Sequence, residues 1–304
     1  MSVKIVDLFC GCGGLSKGFE EAGLKVDYAI DNWEPALKTY KKNFKNANVI
    51  NCDLSNEEKT IKILNSINPD IIIGSPPCQD YSSAGKRIEA DKANLTVNYA
   101  KIVCSINPKI FVMENVSQVK NSVSYKKARD IFKRNDYGLT ETVLDSSLCG
   151  VPQKRKRFIC IGIKNGIDDE LIDIIKNGLA KRSMTLRDYY GDSLGFNYYY
   201  RHPRNYNRRA IFSIDEPAPT IRGVNRPIPK GYPGHKNDAC KLEDNPHALT
   251  TYDRSLIQTF PKDYIYEGCK TDIEQMIGNA VPVKLGYFVA EIIKSKENFD
   301  NINV

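Results

Sequence analysis

Through its first 163 residues the chain alternates short apolar runs with longer polar stretches that suit helices. Runs at 3–9 (VKIVDLF), 26–30 (VDYAI), 48–50 (NVI), 70–74 (DIIIG), 109–113 (KIFVM) and 157–163 (RFICIGI) predict strands. Most are continuously apolar, the pattern of strands covered on both faces. Between them, 14–22, 34–43, 57–67, 95–106 and 124–135 suit helices. Strand–helix alternation at this spacing predicts βαβ units around a mixed, mostly parallel sheet, an α/β fold. From about 190 to 262 the chain turns to Pro, Gly, Asn, Tyr and Arg with no long helical period, which predicts loops and short irregular strands. The tail from Thr271 regains helical periodicity, with Val283, Tyr287, Ala290 and Ile293 on one face, and predicts a helix packed back on the first part. The expected organisation is a large domain over 1–180, a small domain over 181–264, and a returning segment over 265–304.

Composition narrows the class. With 304 residues, 41% hydrophobic and 27% charged, the chain can bury a core and is not disordered. No run approaches about 18 consecutive apolar residues, so no transmembrane helix is expected. The N-terminus lacks the basic segment, apolar core and cleavage site of a secretory signal. Nine cysteines are scattered, and only Cys10 and Cys12 lie close together. This is neither a disulfide framework nor zinc-site spacing, so free thiols, no metal and a reducing cytoplasm are expected.

Charge is unevenly placed. Of 44 Lys and Arg and 37 Asp and Glu, the segment 181–236 holds eleven bases and four acids, a net of +7 that equals the net charge of the whole chain. Eight of the eleven are Arg, and seven Tyr accompany them. Guanidinium forks match phosphates and guanine edges, and Tyr can stack, so the segment points toward nucleic acid rather than a merely solvated face.

The chemistry-bearing motifs fall where strands end. The first strand runs into Phe9-Cys10-Gly11-Cys12-Gly13-Gly14. Its glycines let a nucleotide approach the backbone, but Ser16 occupies the third glycine position of the dinucleotide fingerprint, and FxGxG instead suits S-adenosylmethionine (AdoMet). Asp31, at the end of the second strand, is placed to take the ribose hydroxyls, Trp33 to stack on adenine, and Asp53 to accept the adenine amino group. After the fourth strand, Gly74-Ser75-Pro76-Pro77-Cys78-Gln79-Asp80-Tyr81-Ser82 uses two prolines to present Cys78 at the carboxyl end of the sheet, where a nucleophile belongs. The other eight cysteines are expected to be buried and structural. Glu114 follows the fifth strand at the same edge, and Arg155 and Arg157 alternate toward one face of the sixth. Residues 80–94 suit a loop that closes over a ligand. Asn279 is expected to open the returning helix.

In order, DLFCGCGGLS, AIDNWEPA, SPPCQDYS, MENV, VPQKRKR, LIQTFPKDY and QMIGNAVP resemble the motif series of the DNA cytosine 5-methyltransferases, above all those of bacterial restriction–modification systems. The resemblance spans 4–163 and about 245–290, and leaves the basic segment where that family carries its variable target-recognition region. It implies a Rossmann-like AdoMet-dependent methyltransferase domain with a smaller target-recognition domain. It also implies methylation of carbon 5 of a cytosine flipped out of a specific duplex. Cys78 would add to carbon 6, Glu114 would serve ring nitrogen 3, and Arg157, supported by Arg155, would hold the exocyclic oxygen. AdoMet contacts are implied for Phe9, Gly11, Gly13, Leu15, Asp31, Trp33, Asp53, Leu54, Pro76, Asn279 and Val281. DNA contacts are expected from Ser82, from Arg208 and Arg209 at phosphates, and from Arg222 and Arg226 at base edges, Arg222 lying in a PTIRG stretch like the Thr-centred core of such regions. One departure is Asp31-Asn32-Trp33, where the family has Glu beside the aromatic. The implied setting is a cytoplasmic, nucleoid-associated bacterial monomer, with double-stranded DNA as substrate, a cognate restriction endonuclease as functional partner and no membrane. Two alternatives are weaker. The family's transfer-RNA branch has PPCQ followed by Pro and Thr and a CFT tripeptide, whereas this chain has Asp80-Tyr81-Ser82 and no CFT. A catalytically dead DNA-binding regulator would not need every chemical position filled.

Overall fold

In the computed structural model, residues 3–77, 95–203, 205 and 207–296 are described. The apolar runs fold as strands. The first half reads β1 (Ile5–Leu8), α1 (Gly14–Glu21), β2 (Tyr28–Asp31), α2 (Glu34–Asn43), β3 (Asn48–Asn51), α3 (Glu57–Ile67), β4 (Ile71–Gly74), α4 (Leu95–Ile106), β5 (Ile110–Val116), α5 (Val123–Arg134), β6 (Tyr137–Asp145), β7 (Gln153–Lys154) and β8 (Lys156–Lys164). There follow α6 (Ile172–Gly178), α7 (Leu186–Tyr190), β9 (Tyr198–Tyr200), β10 (Ile211–Ser213), β11 (Ala218–Pro219), β12 (His247–Ala248), α8 (Thr251–Ile257), α9 (Lys270–Asn279) and α10 (Val283–Lys294).

Seven strands form one sheet in the order β3-β2-β1-β4-β5-β8-β6. The pairs from β3 to β5 are parallel, while β8 runs antiparallel to both β5 and β6. The sheet is thus mixed and mostly parallel, as expected. Ile5, Val6, Ile71, Ile72, Ile73, Phe111 and Val112 are at most 1% exposed, which explains why their runs carry no polar alternation. One apolar layer joins the sheet to α1, α6 and α10, and the other joins it to α3, α4 and α5.

The strand β6 was not anticipated. YGLTETVLD is interrupted by Thr and Glu because it is the edge strand, and Val143 on it is 41% exposed. The tail differs too. It forms two helices, broken at Ala280, Val281 and Pro282, rather than one. Asn279 therefore closes α9, and Pro282 is the N-cap of α10. A proline removes a backbone donor and disfavours helix in the residue before it, which accounts for the break. The stretch Lys270–Lys294 is long and apolar enough to cross a membrane by composition, but 67% of that window is buried inside the protein.

The basic segment builds a satellite core from Leu186, Tyr199, Phe212, Ile214, Ala218 and Ile221, together with Leu249, Ile257 and Ile277. Its short strands β9, β10 and β12 form a separate three-stranded sheet, and β11 pairs with β7 at the start of the β8 arm. The cysteines need one correction. Cys10, Cys12, Cys52, Cys149 and Cys160 are buried, but Cys104 and Cys240 are half-buried and Cys269 is exposed. Cys269 caps α9, its Sγ 3.0 Å from Asp272 Oδ2.

Candidate active site

The carboxyl ends of β1, β2, β4 and β5 open on one large cavity of about 1490 Å³, which also reaches β8 and the basic segment. At one end lies the glycine turn. Gly11 has φ +50°, and a Cβ there would meet nothing within 4 Å, so the ground beside the turn is free for a ligand. The Asp31 carboxylate stitches the turn to β2. Oδ2 accepts from Gly11 N at 2.8 Å, and Oδ1 accepts from Asn32 N at 2.7 Å and Trp33 N at 3.0 Å. Asp53 accepts from Ser55 N at 2.9 Å, and those Ser55 bonds hold its carboxyl below the usual range. At Gly14 the carbonyl of Val281 approaches so closely that a Cβ would lie 2.1 Å from it, so the α9–α10 break is pressed against the turn. Phe9, Leu15, Trp33, Leu54, Pro76, Asn279 and Val281 line the cavity as well. Gly13, with φ +89°, sits instead against Phe44 and Tyr40 and shapes the turn from behind.

Below the turn is a buried acid that the sequence reading did not use. Asp7, 1% exposed, accepts from Ser16 Oγ at 2.5 Å, and Ser16 in turn accepts from Tyr40 OH at 2.8 Å. Burial pushes the Asp7 carboxyl up to about 8, the Ser16 bond opposing and the Asp31 charge adding to it.

The opposite wall of the cavity is built by the reversed strand. Because β8 is antiparallel to β5, its beginning lies at the carboxyl edge where β5 ends. Val116 pairs with Arg157 and Glu114 with Ile159, so Glu114 and Arg157 are diagonal neighbours on one face. Arg157 Nε stands 2.9 Å from Glu114 Oε1, with the two side chains 14% and 7% exposed. Burial pulls the Arg157 guanidinium down, and Glu114 opposes that shift. A buried charge of this kind is tolerated only when paired, and here each partner satisfies the other.

Arg155 is the largest fully buried side chain. Its guanidinium donates to Ile221 O at 2.9 Å, Gly278 O at 2.9 Å and Ala280 O at 3.0 Å, so it joins β8 to the basic segment and to the α9–α10 break. Burial lowers its pKa well below the usual arginine range, as does the Arg157 charge.

Cys78 and Ser82, with the loop 80–94, lie outside the described residues. The approach to Cys78 is described. Asn115, given no role from sequence, donates from Nδ2 to Pro76 O at 2.9 Å and accepts on Oδ1 from Val116 N at 2.8 Å. It ties the proline loop to the strand that carries Glu114. The signal was its place beside Glu114 in the ENV triplet.

In the basic segment, all four acids are spent on nearby arginines. Asp188 pairs with Arg182, Asp192 and Asp215 with Arg187, and Glu216 with Arg209. Arg209 also stacks over Phe212, 4.3 Å from the ring centre. Arg208 is exposed at the cavity wall. Arg222 lines the cavity and donates to His202 O at 2.5 Å, while its own carbonyl accepts from Arg254, which forms a buried ion pair with Glu274. Arg226 is exposed and away from the cavity wall.

A glycine turn, a buried carboxylate–guanidinium pair and a basic wall thus surround one cavity. A family model described as C-5 cytosine-specific DNA methylase matches residues 3–295. The chain belongs to the C-5 cytosine-specific DNA methylases. Among curated proteins, this DNA cytosine-5 methyltransferase is 54% identical over 293 residues to the Type II methyltransferase M.HindV of Haemophilus influenzae, covering 96% of both chains. It is 49% identical over 297 residues to the Type II methyltransferase M.HgiDI of Herpetosiphon aurantiacus, covering 97% of this chain and 96% of the relative. Among solved structures, S. pombe Dnmt2 methyltransferase matches with a TM-score of 0.71 at 16% identity, covering 96% of this chain and 98% of that one. A Spodoptera frugiperda DNMT2 mutant matches at 0.68 and 20%, covering 97% and 100%. These likenesses show the fold. Membership also brings AdoMet as methyl donor, and the open ground at Gly11 beside two carboxylates fits a nucleoside with an amino-acid tail.

Proposed function

We propose that the protein is the modification enzyme of a Type II restriction system, methylating carbon 5 of one cytosine within a specific duplex sequence, through a Cys78 adduct, with the cytosine flipped out of the helix. The observation that carries this reading is the buried Glu114–Arg157 pair at the rim of a cavity shared by the glycine turn and the basic segment. Phe9, Gly11, Leu15, Asp31, Trp33, Asp53, Leu54, Pro76, Asn279 and Val281 would hold AdoMet, with Gly13 shaping the turn. When bound, AdoMet supplies an electrophilic methyl group on a sulfonium.

Carbon 5 of cytosine is a poor nucleophile. The Cys78 thiolate forms a bond to carbon 6, and the displaced electron pair makes carbon 5 nucleophilic. Negative charge on the ring is relieved by a proton that Glu114 shares with nitrogen 3 and by hydrogen bonds from Arg157 to the exocyclic oxygen. Arg157 also keeps Glu114 from standing alone as a buried charge. Once carbon 5 has taken the methyl group, its former bond to the sulfonium broken and the sulfur left as a neutral thioether, departure of the carbon 5 proton breaks the Cys78 sulfur–carbon bond and restores the ring. Carbon 6 is inaccessible within a stacked duplex, which is why the base must leave the helix. Ser82, Arg208, Arg209, Arg222 and Arg226 belong to the DNA-facing side, and a cognate endonuclease would cut the same sequence when it is unmodified.

The test is incubation with labelled AdoMet and plasmid duplex, followed by bisulfite mapping. One recurrent methylated cytosine is expected. In Cys78→Ser, transfer should be lost while DNA binding survives. Full activity in that variant would remove the covalent step, and methylation of transfer RNA in place of duplex would overturn the substrate.

A further inference from the structure

The recognition stretch and the reaction wall share one buried polar unit. Gln153, fully buried at the head of the β8 arm, accepts on Oε1 from Ile221 N at 2.9 Å. Its Nε2 donates to Gln258 Oε1 at 2.8 Å. Gln258, also fully buried, donates onward to Ile277 O at 2.5 Å and Ala280 O at 3.2 Å, within the turn pressed against Gly14. Arg155, between β7 and β8, reaches Ile221 O and Ala280 O. At the end of the unit, Thr220 Oγ1 donates to Lys154 O at 2.8 Å. Both backbone groups of Ile221 are therefore held by Gln153 and Arg155, in the segment that carries Arg157 two residues after Arg155. Only Arg222 separates this anchor from Gly223.

We infer that Gln258, Gln153 and Arg155 are positioning residues that couple sequence recognition to the chemical step. The inference rests on the reading of 218–226 as a DNA-facing segment. Its physical basis is rigidity. Buried polar groups without water must keep their partners, so a shift at Ile221 is transmitted to β8 and the α9–α10 turn rather than absorbed. A mismatched duplex that displaces the recognition stretch should misplace Arg157 and slow methyl transfer more than it weakens binding.

The experiment compares the mapped target duplex with one carrying a single altered pair outside the methylated cytosine. Single-turnover rate and dissociation constant are measured separately for wild type and for Gln258→Met, a near-isosteric change that removes all three side-chain bonds. Wild type should discriminate mainly in rate. In Gln258→Met the rate discrimination should fall by roughly tenfold, in the usual range for coupled sites, while the ratio of dissociation constants stays the same. Gln153→Met combined with Gln258→Met should add little, because the two share a bond. If Gln258→Met does not fold, Thr220→Val, which removes a bond from a half-buried hydroxyl, should show the same change to a smaller degree. Unchanged rate discrimination in the folded variants, or discrimination by wild type in binding alone, overturns the inference. Failure of wild type to methylate any duplex would instead strike the functional reading beneath it.

Discussion

Charge is handled in opposite ways at the sheet edge and in the basic segment. At the edge there is one carboxylate and one guanidinium at the rim of the reaction wall, nearly dry and bonded to each other. In the segment 181–236 the acids pair with Arg182, Arg187 and Arg209 at exposed or half-exposed positions, and the other described cations line the cavity or are exposed. A dry pair is sensitive to the loss of either member. A wet surplus is sensitive to salt and tolerant of single losses. On the proposed function, the comparison separates residues proposed to act on the reacting ring from residues proposed to hold a polyanion.

The sharpest way to break this contrast is at Glu114. Glu114→Gln should lower turnover by about 10²–10⁴-fold with little change in AdoMet affinity, measured by single-turnover kinetics and calorimetry. Next, Arg157→Ala leaves Glu114 buried without a partner and should cost about 3–5 kcal/mol of stability in denaturant titration. The equivalent change at exposed Arg208 should cost almost nothing there. Asp31→Ala removes the acceptor for one backbone N–H of the glycine turn and two at the end of β2, and should weaken AdoMet binding by roughly 10- to 100-fold. In the wet region, Arg208→Ala should weaken all duplexes alike and flatten the log–log salt slope by about one unit. Arg209→Ala should flatten it less, because its guanidinium is already on Glu216. Arg222→Ala should instead cost roughly 1–3 kcal/mol at the preferred site only. Uniform behaviour of all three arginines would place the reading side chains elsewhere.

A further effect, read in stability rather than in activity, is a pH dependence at Asp7. A carboxyl ordinarily near 3.8 is pushed up to about 8, so the folded state binds the extra proton between these values. Stability contributed by this group must then fall as pH rises from about 4 to 8. Asp7→Asn, which can keep the Ser16 bond, should flatten that decline in thermal melts across the range.

How much of this was legible follows from what each residue has to satisfy. The inner strands β1, β4 and β5 announced themselves because burial on both faces favours nearly unbroken apolar runs, and α2 and α3 match the expected spans to the residue. Edge strand β6 stayed hidden because one side of it meets solvent and accepts Thr and Glu. The Glu114–Arg157 neighbourhood needed the direction of β8, which no periodicity contains, since an apolar run reads the same whether its strand runs up or down. Gln153, Gln258 and Asn115 were missed because a buried amide looks like a surface amide in sequence. Only its partners, over a hundred positions away in the Gln153–Gln258 bond, reveal the difference.

The seat of the recognition stretch is made at Ile221 with main-chain atoms, one N–H to Gln153 and one carbonyl to Arg155. Every amino acid but proline carries that same pair of groups. The side chains around the anchor can therefore be exchanged without changing its hydrogen bonds, provided position 221 still fills its apolar site. On the proposed function, such a joint is a standard socket: the segment proposed to read DNA can change its side chains while the strand proposed to carry the reaction stays as it is.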